Sequence, residues 1–154
     1  MHVAEAIASE LTTLDPANAE AYADNLATFS GEISGLETSA AAIAGGDAAI
    51  TEPVPLYLLE SAGLSNATPE AFSEAIEEGT DVAPTVLKDT LAVIPTVALL
   101  AYNSQTASPE TEQVKSAAEK AGVPVVEFTE TMPDGADYVT WMTDNLETIA
   151  TALR

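Results

Sequence analysis

Apolar and polar positions alternate between two patterns along this chain. The longest apolar run, Thr96-Val97-Ala98-Leu99-Leu100-Ala101-Tyr102, is introduced by Pro95 and left through the polar turn Asn103-Ser104-Gln105. A continuous run of this kind predicts a strand buried on both faces, as in a parallel sheet covered by helices. Two shorter runs, residues 47–51 and 123–128, behave alike and open into Glu52 and Thr129-Glu130. Residues 64–67 predict a weak edge strand.

Between these runs the spacing changes to that of helices. Val3, Ile7, Leu11 and Leu14 fall on one helical face, and Asp15-Pro16 interrupts it with a cap residue and a first-turn proline. Ala19, Tyr22, Leu26, Phe29, Ile33, Leu36, Ala40 and Ile43 continue in steps of three and four up to Gly45-Gly46, predicting a long helix packed along a domain. The charge pairs of a coiled-coil zipper are missing from it. Further helices are predicted around Leu56 and Leu59 with a stop at Gly63, and from Thr68-Pro69-Glu70 to Gly79. Three more follow: one opening at residues 81–84, one from Ser108-Pro109-Glu110 to Gly122, and a last one carrying Tyr138, Met142, Ile149 and Leu153.

Strands alternating with helices give right-handed crossovers. The expected fold is α/β, a mainly parallel sheet of about four strands with helices on both faces, preceded by a long helix. The 154 residues fit one domain, residues 1–154, with a helical segment over 1–44 and an α/β lobe over 45–154. The chain opens inside a helix, as if cut at its front.

Charge narrows the partners. Four Lys+Arg against 25 Asp+Glu give a formal net charge of −21, which repels phosphate backbones and anionic lipids. No nucleic-acid partner is expected, and the acidic coat suits solubility, a salty medium or an extracellular setting. There is no cysteine, so no disulfide, thiolate nucleophile or Cys-type zinc site forms. The one histidine, His2, sits at the start on a helix, so a metal site made by this chain alone would use mostly oxygen ligands. No stretch reaches the ~18 apolar residues of a membrane span.

Candidate chemistry gathers at the strand ends, where open α/β sheets bind their ligands. No phosphate-binding glycine loop follows a strand, and no Gly-x-Ser-x-Gly elbow occurs. What remains is Glu52, the Tyr102-Asn103-Ser104-Gln105 turn and Glu130, all expected on one edge of the sheet. Two carboxylates there repel unless a cation or a shared proton intervenes, which admits metal coordination or acid/base catalysis. Glycoside hydrolysis ranks below coordination, because aromatic content is only 5%. Asn103 and Gln105 are candidates for hydrogen-bonding a ligating carboxylate, or are plain turn residues.

The order of several short motifs is similar to one family. Leu14-Asp15-Pro16-Ala17-Asn18 followed by Tyr22, Asn25 and Phe29 resembles the segment around the linking helix of solute-binding lipoproteins of zinc- and manganese-type ABC transporters. Thr51-Glu52-Pro53-Val54-Pro55-Leu56-Tyr57, then Ala62-Gly63-Leu64, resembles a stretch in which that family usually has a metal-binding histidine, here replaced by Glu52. The Tyr102-Asn103-Ser104-Gln105 turn, Ala121-Gly122-Val123-Pro124-Val125-Val126, and the pair Tyr138 and Asn145 match in the same order. The likeness covers the whole chain but only the carboxyl-terminal lobe of such proteins with part of the linking helix.

That resemblance implies a two-lobed receptor in which two histidines of the amino-terminal lobe and two ligands of this lobe hold a divalent cation. Glu52 takes one ligand position. The family's acidic residue after the last strand falls at Thr129-Glu130, and Glu130 carries the carboxylate. Zinc or manganese would be the transported ligand, with no organic cofactor, no catalysis, and the amino-terminal lobe and an ABC permease as partners. The setting would be periplasmic or cell-surface as a lipoprotein, with the leader outside this chain. Two other classes stay open on the residues alone: a small α/β hydrolase or transferase using Glu52 and Glu130, and a cell-surface adhesion module. For the isolated lobe, the apolar face of Val3, Ile7, Leu11 and Leu14 would support a homodimer.

Overall fold

The computed structural model describes residues 1–154 and falls into two compact units, Met1–Ser39 and Ala40–Arg154. In the first unit, helix α1 (His2–Leu14) ends at Asp15, whose Oδ2 accepts hydrogen bonds from Asn18 Nδ2 at 2.7 Å and the Tyr22 hydroxyl at 3.0 Å. These bonds hold the Asp15 carboxyl below its usual range. A 3₁₀ turn, Pro16–Asn18, leads into helix α2 (Ala19–Ala41). Ile7, Leu11, Leu26 and Phe29 line an apolar groove between these helices. The long helix stops at Ala41, short of the Ile43 and Gly45 to which the apolar stripe extends; Ile43 lies in the turn that follows, within the second unit, and packs on that unit's own core.

In the second unit, four strands form a parallel sheet in the order β2-β1-β3-β4: β1 Gly46–Ile50, β2 Leu64–Asn66, β3 Leu99–Asn103 and β4 Val125–Phe128. Side chains alternate between the faces. Ala48, Ile50, Leu99, Ala101, Val126 and Phe128 pack with Leu59 of α3 (Leu56–Ser61) and Ile149 of α7 (Tyr138–Ala152). Ala49, Leu100 and Tyr102 point the other way, onto Phe72 of α4 (Glu70–Glu77), residues of α5 (Pro84–Val93), and Val114 and Ala118 of α6 (Pro109–Ala121). Both faces are therefore covered, as the continuous apolar runs require.

Two strand starts lie later than the apolar runs suggest. Ile94–Thr96 is a 3₁₀ turn in which Thr96 Oγ1 donates to Val93 O at 2.7 Å, so β3 begins only at Leu99. Val123 donates its backbone N–H to Ala118 O at 2.9 Å and so completes the end of α6, leaving β4 to begin at Val125. Gly122 makes that ending possible with φ 73°, a left-handed conformation that side chains resist. Ser108 opens α6 with a reciprocal capping box to Thr111. No helix is long and apolar enough to cross a membrane.

Candidate functional site

Because the sheet is parallel, the carboxyl ends of all its strands emerge on one edge. Thr51 and Glu52 follow β1, Asn103 closes β3, and Thr129 and Glu130 follow β4. β3 is paired to β1 on one side and to β4 on the other, so Glu52 and Glu130 leave the sheet on either side of Asn103. The register explains the alignment, since Ile50 lies beside Ala101 and Asn103 beside Phe128.

Glu52 is a buried carboxylate, with 4% of its surface exposed. An acid in such a place needs a partner, and Asn103 Nδ2 donates to its Oε2. Its Oε1 is not sealed in, because the only buried side-chain oxygens or nitrogens without partners are Thr106 Oγ1 and Thr129 Oγ1. The Asn103 backbone N–H donates to Thr51 Oγ1 at 2.9 Å, which seats the asparagine beside the β1 exit. Thr51 is fully buried, and the sequence signal for its role is only a hydroxyl residue immediately after a buried strand.

Glu130 is exposed and belongs to a loop that Gln105 organises. Gln105 Oε1 accepts from the Glu130 backbone N–H at 2.7 Å and from that of Thr131 at 3.4 Å, and its Nε2 donates to Thr131 Oγ1 at 3.1 Å. The Gln105 N–H donates in turn to Asn103 Oδ1 at 2.9 Å. One hydrogen-bonded network thus runs from Glu52 through Asn103 and Gln105 to the Glu130 loop. Asn103 contacts a carboxylate, whereas Gln105 binds backbone rather than a carboxylate, and Thr131 is a partner that sequence reasoning did not single out.

Beside this edge a cavity of about 280 Å³ lies among Val54, Tyr57, Phe128, Thr129, Trp141 and Asn145. Its walls are largely aromatic and aliphatic, and neither Glu52 nor Glu130 lines it. No cluster of three or more His, Cys, Asp or Glu side chains that could hold a metal ion forms within the chain. His2 pairs with Glu5 at 3.4 Å on the exposed surface of α1.

The family model described as zinc-uptake complex component A, periplasmic, matches residues 1–152. The chain belongs to this family. No curated protein sequence matches it significantly. Among solved structures, the solute-binding protein FpvC of Pseudomonas aeruginosa in complex with Mn2+ is 24% identical, with a TM-score of 0.68 over 96% of this chain and 56% of that one. The periplasmic zinc-binding protein TroA of Treponema pallidum is 18% identical, with a TM-score of 0.69 over 97% and 58% of the two chains. A crystal structure of ZnuA is 21% identical, with a TM-score of 0.73 over 96% and 54%. These likenesses carry the fold, and the chain spans a little over half the length of each of the three. The zinc-uptake component A family is the kind of metal-receptor family that the motif order resembles, and it does not favour the enzyme or adhesion readings.

Proposed function

We propose that this chain is the carboxyl-terminal, metal-receiving lobe of a solute-binding protein of an ABC importer, and that Glu52 and Glu130 give carboxylate oxygens to a zinc- or manganese-class cation. The observation that carries this reading is the placement of both acids at the carboxyl edge of one parallel sheet, flanking Asn103, with Glu52 seated by the Asn103 amide. Two carboxylates are half of the usual four-ligand set for zinc. The amino-terminal lobe would complete it with its own ligands and close over the ion. The mechanism is capture and release to a membrane permease, without bond-making in the cargo and without an organic cofactor.

Oxygen ligands with imidazoles from the opposite lobe suit either metal. Asn103 would fix the orientation of Glu52 and leave Oε1 for the cation. The exposed apolar residues Val3, Ile7, Leu11 and Leu14 of α1 would lie against the amino-terminal lobe, or pair two copies of the isolated lobe. The protein would work in the periplasm or as a lipoprotein at the cell surface. Titration of Zn2+ and Mn2+ into the two-lobed protein tests the site. Glu52→Ala and Glu130→Ala should each weaken binding at least tenfold, and unchanged affinity in both removes the ligand assignment.

A further inference from the structure

We infer that Gln105 is a positioning residue for Glu130, acting through the backbone of the loop that carries it; this rests on Glu130 being a ligand. One side-chain amide makes three hydrogen bonds to two consecutive loop residues, at 2.7 and 3.4 Å to the Glu130 and Thr131 N–H groups and 3.1 Å to Thr131 Oγ1. The region between β4 and α7 has no regular structure of its own, and its one internal backbone bond is Ala136 N–H to Pro133 O at 3.2 Å. The tie that Gln105 provides therefore falls at the residue bearing the carboxylate.

Gln105 is itself anchored. Its N–H donates to Asn103 Oδ1, whose Nδ2 holds Glu52 and whose backbone N–H is held by Thr51. The two acids thus share one scaffold rooted in the last residue of β3. A carboxylate on a free loop must give up backbone freedom when it takes a cation, and that ordering weakens binding. A loop already pinned at its amides has lost that freedom on folding. Gln105 lowers the ordering cost without touching the metal or the carboxylate.

The test is Mn2+ and Zn2+ affinity of the full-length protein, measured by competition with a chelator, for Gln105→Met, Glu130→Ala and the double variant. Methionine keeps the length and removes the acceptor. Groups that hydrogen-bond a ligating side chain contribute about 10- to 100-fold to metal affinity; Gln105 acts one step further out, through the backbone, so Gln105→Met should sit at the low end of that range, about tenfold. In the Glu130→Ala background the same change should cost nothing further, since the two act as one unit. Gln105→Glu, which keeps a side-chain oxygen to accept both backbone N–H bonds, should bind at least as tightly as wild type. Amide exchange in the metal-free Gln105→Met protein should quicken at Glu130 and Thr131 while the core amides stay protected. If Glu130→Ala weakens binding but Gln105→Met does not, or if the Gln105→Met loss persists in full without Glu130, the positioning role is overturned and the ligand reading survives. A silent Glu130→Ala overturns both.

Discussion

The side-chain amide of Asn103 donates to the carboxylate of Glu52, joining residues 51 positions apart at the ends of the adjacent strands β3 and β1. It gives a buried acid the donor that burial demands. Replacing Asn103 with Leu keeps the bulk and strands the carboxylate, which should destabilise the fold by about 2 kcal/mol. The double change Glu52→Leu with Asn103→Leu removes both partners, and should recover much of that loss. Urea unfolding of the single and double variants reads the difference. Equal losses in both would show that an unpaired Glu52 carboxylate costs the fold nothing.

Gly45 passes so close to the next turn that a Cβ there would sit 2.3 Å from the carbonyl oxygen of Gly63. That oxygen also accepts the Gly46 N–H at 3.3 Å, so the contact fixes the entry of β1 against the end of α3. Neither backbone can step aside cheaply. Gly45→Ala should therefore cost more than about 2 kcal/mol, in the upper range for single substitutions. Alanine at Gly31, where no atom lies within 4 Å of the added Cβ, is the control and should stabilise α2 slightly through helix propensity. Thermal melts of the two variants should move in opposite directions.

Much of the second unit was legible because strands buried on both faces have to be apolar without interruption. The same rule hides where they begin. Val97, buried, and Ala98, half-buried, extend the apolar run of β3 backwards through an irregular bend, and periodicity cannot separate such a bend from the strand itself. At the candidate site the parallel order alone put Glu52, Asn103 and Glu130 on one edge. The direction of each hydrogen bond was not legible: that Asn103 reaches a carboxylate while Gln105 reaches past one to backbone amides depends on loop path. Thr51 and Thr131 carry little sequence signal for the same reason, since a threonine just after a strand or in the loop beyond it looks like any β-branched residue until its hydrogen-bond partner is placed.

Tyr102 ties β3 to α6, with its ring buried, its hydroxyl donating to Glu112, and Lys115 Nζ 4.5 Å from the ring centroid. Burial first, then the bond to Glu112, raises the pKa of the phenol above its ordinary value. Lys115, hydrogen-bonded to Glu127 at 3.2 Å, is raised as well. Both groups have higher pKa values folded than unfolded, so their contributions are complete below about pH 10 and fade as pH rises through the folded values. Wild type should lose stability on the alkaline side of about pH 10, and Tyr102→Phe should show a shallower loss there despite being weaker at neutral pH. Denaturant unfolding across the alkaline range, with tyrosinate absorbance followed in parallel, checks the sign. Identical alkaline slopes would remove Tyr102 from the account.

The acidic surface should make the fold sensitive to ionic strength. Lys115 and Glu127 form the only ion pair between a Lys or Arg and an acid, so most of the 25 acids have no cationic partner and the net charge is −21. Acids this dense repel one another more in the folded chain than in the expanded one, so self-repulsion disfavours folding. Screening contracts from about 30 Å at 0.01 M salt to about 3 Å at 1 M, which removes most surface repulsion. The melting temperature should accordingly climb as NaCl rises from low millimolar to molar concentrations, steeply at first and then more slowly. A neutral osmolyte at matched osmolality should not reproduce the steep early rise, because it leaves the Debye length unchanged. Replacing exposed acids far from the strand ends, such as Glu20 and Asp24 on α2, with Gln and Asn should flatten the salt curve and raise its low-salt end. A melting temperature that does not respond to salt below 0.1 M would show that the acidic coat is held apart too well to strain the fold.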